Sequence, residues 1–206
     1  MHVFGLLTMA TKTPSTDLPY NFGLASSRDS VLYTCQRPGG DPTLHNTHHT
    51  NDGSNQQTQQ QQQHVSSSPK ISLDGETAEQ VKFMRLRGIQ NVLILLEDFE
   101  LEDYETPDGL LRLYESFGIK IYRQPMKEPG ASKRIFDILL EVESRNERIA
   151  AHCTHGMGRS GRVAAFWVAS RYDQTPEEGT AEVMEFARAN GIERMGDVEN
   201  LKAWMR

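Results

Sequence analysis

The chain has 206 residues, of which 37% are hydrophobic and 24% charged, and carries a formal net charge of −6 at pH 7; that length suits one domain with a buried core and sequence to spare. The first 70 residues are balanced in charge, so the acidic excess lies in the remainder, which excludes a broadly basic surface for polyanions while leaving room for a local basic pocket. Two distant cysteines, Cys35 and Cys153, exclude a disulfide framework and any CxxC metal knuckle, and no run approaches the ~18–20 apolar residues of a membrane span.

The opening MHVFGLLTMATKTPSTDLPY has a short apolar patch without a basic leader, so no export signal is expected. A reducing, cytoplasmic setting, with the nucleus as an alternative, fits the cysteine usage. SVLYTC (Ser30–Cys35) predicts a strand running into the turn RPGG, which makes residues 1–40 an N-terminal segment holding the first strand. Residues 41–69 collapse into His, Asn, Thr, Ser and Gln, a composition that predicts a disordered insertion. The rest, 70–206, is expected to form the body of the domain. TAEQVKFMRLRG predicts a helix closing on Gly88, and NVLILL a strand buried on both faces. TPDGLLRLYESFG predicts a helix with Thr106 and Pro107 as N-cap and first-turn residues. IKIYR reads as a strand, SKRIFDILLEVESRN as a helix with Ile135, Ile138, Leu139 and Val142 on one face, and RIAAHC as the next strand. Helices are expected over Arg159–Tyr172, Pro176–Asn190 and about Gly196–Met205, the second opened by a capping box of Thr175 and Glu178. Such alternation predicts an α/β fold: a central, mainly parallel sheet of four to five strands flanked by helices on both faces.

In parallel sheets ligands sit beyond the carboxyl ends of the strands, where helix N-termini point. Cys153 stands at such an end, and the chain must then turn sharply into a helix, with Gly156 and Gly158 expected to supply positive-φ positions. A loop of this size directs successive N–H groups inward as an anion nest. Arg159 adds a planar fork able to take two phosphate oxygens. The same field favours the thiolate of Cys153 at neutral pH, a nucleophile in line with phosphorus.

The stretch HCTHGMGRSG (His152–Gly161) resembles the HC-x5-R-S/T signature of the cysteine-dependent protein tyrosine and dual-specificity phosphatases. The resemblance implies that Cys153 forms a phosphocysteine intermediate and that Arg159 and the loop Thr154, His155, Gly156, Met157 and Gly158 bind phosphate. It further implies that Ser160 helps expel the thiolate and that His152 orients the loop from behind. No metal or cofactor is implied.

Phosphatases of this kind protonate the leaving group from a carboxylic acid on a separate loop, worth ~10²–10⁴ in rate. The corresponding segment, YRQPMKEPGAS, offers only Glu128, where an aspartate is usual. Glu128 is therefore the candidate general acid. Asp137 lies a helical turn further on, and the acidic group Glu97, Asp98, Glu100, Glu102 and Asp103 reads as a solvated loop, with Asp98 an alternative acid.

Over roughly Ile71–Met205, GIQNVLILLEDFELEDY, LLRLYESFGI and the PMKEPG loop look most like the small phosphatases related to the cyclin-dependent kinase-associated phosphatase. That resemblance implies a phosphorylated protein as substrate, carrying phosphotyrosine, phosphoserine or phosphothreonine. HCTHG and ANGIERMGDVENLKAW are also similar to the RNA 5′-triphosphatase domains of capping enzymes, which usually carry Asn where this chain has Gly158; the acidic body is a poor match to an RNA backbone. Phosphoinositide phosphatases favour lysines in the loop, where this chain has Thr154, His155 and Met157. A non-enzymatic phosphopeptide binder is a further alternative, against which the intact Cys153, Arg159 and Ser160 stand. Oxidative pairing of Cys153 with Cys35 is weighed against a plain buried role for Cys35.

Overall fold

The computed structural model describes residues 19–40 and 70–206, so the insertion expected at 41–69 lies outside the described residues. The five strands are β1 (Gly23–Leu24), β2 (Leu32–Gln36), β3 (Asn91–Ile94), β4 (Lys120–Arg123) and β5 (Ile149–Cys153), in the order β1-β2-β5-β3-β4. Only β1 runs antiparallel; β2, β5, β3 and β4 are parallel neighbours, which bears out the mainly parallel sheet. β5 is central, and all five of its residues are buried. The apolar run of β3 is likewise buried throughout, whereas β4 at the edge has exposed ends.

Seven α-helices cover the sheet among the described residues: α1 (Glu76–Leu86), α2 (Asp98–Leu101), α3 (Gly109–Ser116), α4 (Ala131–Ser144), α5 (Gly158–Arg171), α6 (Pro176–Ala189) and α7 (Val198–Trp204). Strand side chains alternate between faces, and two cores result. One gathers Leu93, Ala151 and Cys153 with Ile135, Leu139, Val142, Trp167, Val183 and Leu201 from α4–α7. The other gathers Cys35, Val92, Ile94 and Ala150 with Val81, Met84, Leu110 and Tyr114 from α1 and α3. Ile138, expected on the buried face of α4, is only partly covered, because it sits at the rim of the stripe set by Ile135, Leu139 and Val142.

The capping box of α6 forms as expected: Glu178 N–H donates to Thr175 Oγ1 at 3.2 Å and Thr175 N–H donates to Glu178 Oε2 at 2.8 Å. α3 starts later than Thr106 and Pro107 suggest, with Asp108 at its N-cap. The N–H of Gly109 donates to the Thr106 carbonyl at 2.9 Å, so Thr-Pro-Asp closes a turn before the helix. α2 lies inside the acidic stretch expected to be a solvated loop. Glu97 and Glu100 form a reciprocal capping box around it, a side-chain carboxylate taking the place of the usual hydroxyl.

Among the described residues no helix is long and apolar enough to cross a membrane.

Candidate active site

β5 delivers Cys153 to the carboxyl end of the sheet, and α5 begins five residues later with its N-terminus facing the same point. Cys153 is 3% exposed, and its Sγ lies 3.4 Å from Oγ of the fully buried Ser160, a contact in which either atom can donate. The intervening loop is pressed onto the end of β2. Gly156 has φ +74°, and a Cβ there would fall 2.5 Å from the Cys35 carbonyl carbon and the Gln36 nitrogen. Glycine is therefore demanded twice over, by conformation and by backbone contact. Gly158 differs from expectation. It is the first residue of α5, it lacks a positive φ, and a Cβ on it would meet open space. The turn is made at Gly156 alone; the helix has already begun at Gly158.

Arg159 reaches across the loop, but its terminal nitrogens already have partners. Nη1 donates to Glu100 Oε2 at 2.5 Å and to the Leu95 carbonyl at 3.1 Å. Nη2 donates to Glu100 Oε1 at 2.6 Å and to Thr154 Oγ1 at 2.7 Å. Thr154 in turn donates to Glu100 Oε1 at 2.6 Å. Burial raises the affinity of Glu100 for a proton, but the hydrogen bonds from Arg159 and Thr154 outweigh it and hold the carboxyl down at about 2. The hydrogen bond to Glu100 likewise raises Arg159. Glu100 is thus an anion at neutral pH that orients the guanidinium through both terminal nitrogens. Glu100 belongs to the group expected to be a solvated loop. It is instead buried, because α2 folds it inward. Arg37 secures that helix, donating to the Glu100 carbonyl at 3.2 Å and to Asp103 at 2.7 Å.

His152 is fully buried, with its ring centroid 5.9 Å from that of Tyr114 and neither ring nitrogen hydrogen-bonded to any described residue. Burial above all, helped by the charges of Arg37 and Arg159, lowers its proton affinity to about 3 and keeps it neutral.

Two residues far from the loop in sequence also hold it. Asn21 Nδ2 donates to the carbonyls of His155 at 3.3 Å and Glu193 at 3.0 Å. Arg194 donates to the carbonyls of Asn21 at 3.1 Å, Thr34 at 3.0 Å and Glu193 at 2.6 Å. Its burial pulls it down to about 10. The Met157 carbonyl accepts from Met195 N–H at 3.3 Å, which ties the same segment to the loop.

Beside Arg159 opens a cleft of about 310 Å³ walled by Glu97, Phe99, Met126, Lys127 and Arg162. Glu128 turns away from that wall: its Oε2 accepts from Gln124 and from Arg134, each at 2.9 Å. Asp98 is paired with Arg123, and Asp137 with Lys133 at 2.6 Å. Cys35 faces the opposite side of the sheet from Cys153, since it stands level with His152 in the β2–β5 register and belongs to the other core. Burial pushes its thiol up to about 12. Opposed Cβ directions and a protonated partner argue against a disulfide between the two. No cluster of three or more His, Cys, Asp or Glu suited to a metal ion occurs among the described residues. A separate cleft of about 250 Å³, walled by Phe22, Tyr33, Arg87, Arg148 and Phe186, includes none of the loop.

The fold has counterparts among solved structures. The chain is similar to a solved kinase associated phosphatase whose catalytic-site cysteine is replaced by serine, with a TM-score of 0.60 at 19% identity, covering 89% of this chain and 93% of that one. A phosphatase from Cydia pomonella, PTP-2, matches with a TM-score of 0.51 at 13% identity, covering 88% of each chain. At such identities these likenesses speak for the fold. In sequence, the cyclin-dependent kinase inhibitor 3 of Rattus norvegicus is 27% identical over 113 residues, 52% of this chain and 53% of the relative. That of Sus scrofa is 36% identical over 83 residues, 38% of this chain and 39% of the relative. The match thus spans about half the length of the rat relative and less of the pig one. The family model for cyclin-dependent kinase inhibitor 3 (CDKN3) matches residues 72–178, more than half of the chain, and the protein belongs to that family.

Proposed function

We propose that the protein is a phosphatase of phosphorylated proteins, hydrolysing phosphotyrosine, phosphoserine or phosphothreonine through a phosphocysteine intermediate. The observation that carries this reading is the placement of Cys153 Sγ beside Ser160 Oγ at the N-terminus of α5, with Arg159 oriented by Glu100 over the same loop. The thiolate attacks phosphorus, the P–O bond to the leaving group breaks, and the loop amides and Arg159 take up the charge on the equatorial oxygens. Water then attacks the phosphocysteine, and the Ser160 hydroxyl stabilises the departing thiolate. Thr154, His155, Gly156, Met157 and Gly158 supply the amide ring, and His152 underpins it. Membership of the cyclin-dependent kinase inhibitor 3 family supports a protein substrate over an RNA 5′ end, and a triphosphate-ended RNA is the control for that choice.

Glu128 is our candidate for the general acid. To serve, it must exchange Gln124 and Arg134 for the leaving-group oxygen, which requires the 124–130 loop to move inward. Cys153→Ser should abolish turnover of an aryl phosphate while retaining phosphate binding, and full activity in that variant removes the mechanism. Glu128→Gln should slow substrates with poor leaving groups ~10²-fold and good ones far less. Equal small effects on both would take Glu128 out of the acid role.

A further inference from the structure

The cleft beside Arg159 has a charge pattern that a single phosphate leaves unused. Arg162 lies one turn along α5 from Arg159, and so on the same face. Lys127, from the segment after β4, lines the same cleft. Neither forms an ion pair with a carboxylate among the described residues, although Glu128 adjoins Lys127 in sequence. Glu128 is bound by Arg134 and Asp98 by Arg123. Asp197 caps α7 through Asn200 and feels the charge of Arg162 without closing an ion pair with it. Of the acids in the cleft wall, Glu100 is neutralised by Arg159, and Glu97 turns part of its carboxylate to the N-terminus of α2. An exposed Lys127 and a half-buried Arg162 therefore line one cleft in a chain whose net charge is −6. Phe99, a large apolar side chain left 64% exposed, lines the same cleft. An exposed Phe in one cleft with a Lys and an Arg that form no ion pair among the described residues suits a ligand with an anionic group next to apolar substance.

Resting on the reading of the protein as a phosphatase, we propose that Lys127, Arg162 and Phe99 form a second substrate subsite, which takes an acidic residue flanking the phosphorylated side chain of an extended peptide segment. Lys127 and Arg162 hold the carboxylate, and Phe99 packs against the apolar part of the phosphorylated side chain. The subsite selects acidic over neutral sequence around the phosphoresidue, and its attraction weakens as salt rises.

The test uses two phosphotyrosine peptides, identical except that glutamate or glutamine flanks the phosphotyrosine on both sides. The full-length protein should favour the glutamate peptide about fivefold in kcat/KM, the size expected of two partly exposed ion pairs. In the double variant Lys127→Met, Arg162→Met that ratio should fall to about one, and Phe99→Ala should weaken both peptides without changing it. A ratio near one in the unaltered protein, or an unchanged ratio in the double variant, overturns the subsite. Binding of the same peptides to Cys153→Ser reads the subsite without turnover. If the ratio is kept there while the unaltered protein turns over neither peptide, the phosphatase reading falls and the subsite stands. If the ratio is lost there, the subsite falls whatever the turnover.

Discussion

Glu100 and His152 decide how the site responds to acid. Glu100 is held at about 2, below its ordinary value of 4.5, so it favours the folded state fully above that ordinary value, and the contribution is lost as pH falls toward 2. His152 is held neutral at about 3 against an ordinary 6.5; once pH drops below the ordinary value the unfolded chain takes up a proton that the folded chain refuses. Both groups make the protein less stable with acid, His152 first and Glu100 after it. A series of thermal melts should show Tm falling from about pH 6.5 downward. Glu100→Gln should flatten the lower part of that curve, and a curve identical to that of the unaltered protein would refute the assignment. At neutral pH the same variant should lose about 1–3 kcal/mol of stability. It should also lower kcat/KM by ~10-fold or more, because the guanidinium is no longer aimed.

At the scale of elements, the turn from β5 into α5 separates two glycines that look equivalent in the sequence. Gly156→Ala forces a positive φ on alanine and drives its methyl into the backbone of β2. It should abolish phosphate binding in calorimetry and lower stability by about 2–4 kcal/mol. Gly158→Ala meets no neighbour, sits at a helical position, and should leave stability within about 1 kcal/mol of the parent. Equal damage from both would contradict the geometry described. The four parallel strands, the long helices and the loop centred on Cys153 were legible because their signals are local: an unbroken apolar run for β3, a Thr/Glu box for α6, cysteine and arginine at fixed spacing around α5; the two-residue β1 gave no such signal. α2 escaped because four residues give no period, and its capping box uses glutamate where a hydroxyl is the familiar sign. With α2 went Glu100. The ion pair that holds Glu128 was not legible either, since spacing in the sequence says nothing of Arg134.

Over the whole molecule, the supports of the loop come from both ends of the described chain. Asn21 and Arg194 are 173 positions apart, yet one hydrogen bond joins them directly, and together they engage the backbone of β2, the loop and the segment before α7. No periodicity in sequence can announce such a meeting. Arg194→Met would take the side-chain donor from the Asn21 and Thr34 carbonyls, while Glu193 keeps that of Asn21, and should cost about 2–4 kcal/mol, seen as a lower urea midpoint. An unchanged midpoint would remove Arg194 from this role.

β2 reaches the rest of the protein through its ladder with β5 and through Arg194, contacts that owe nothing to the covalent link between residues 40 and 70. The two pieces of a chain nicked by a protease site engineered into that interval should therefore travel together on gel filtration, and turnover should survive the cut. Separated, each piece should be inert, since one carries the nucleophile and the other the ledge on which its loop is seated.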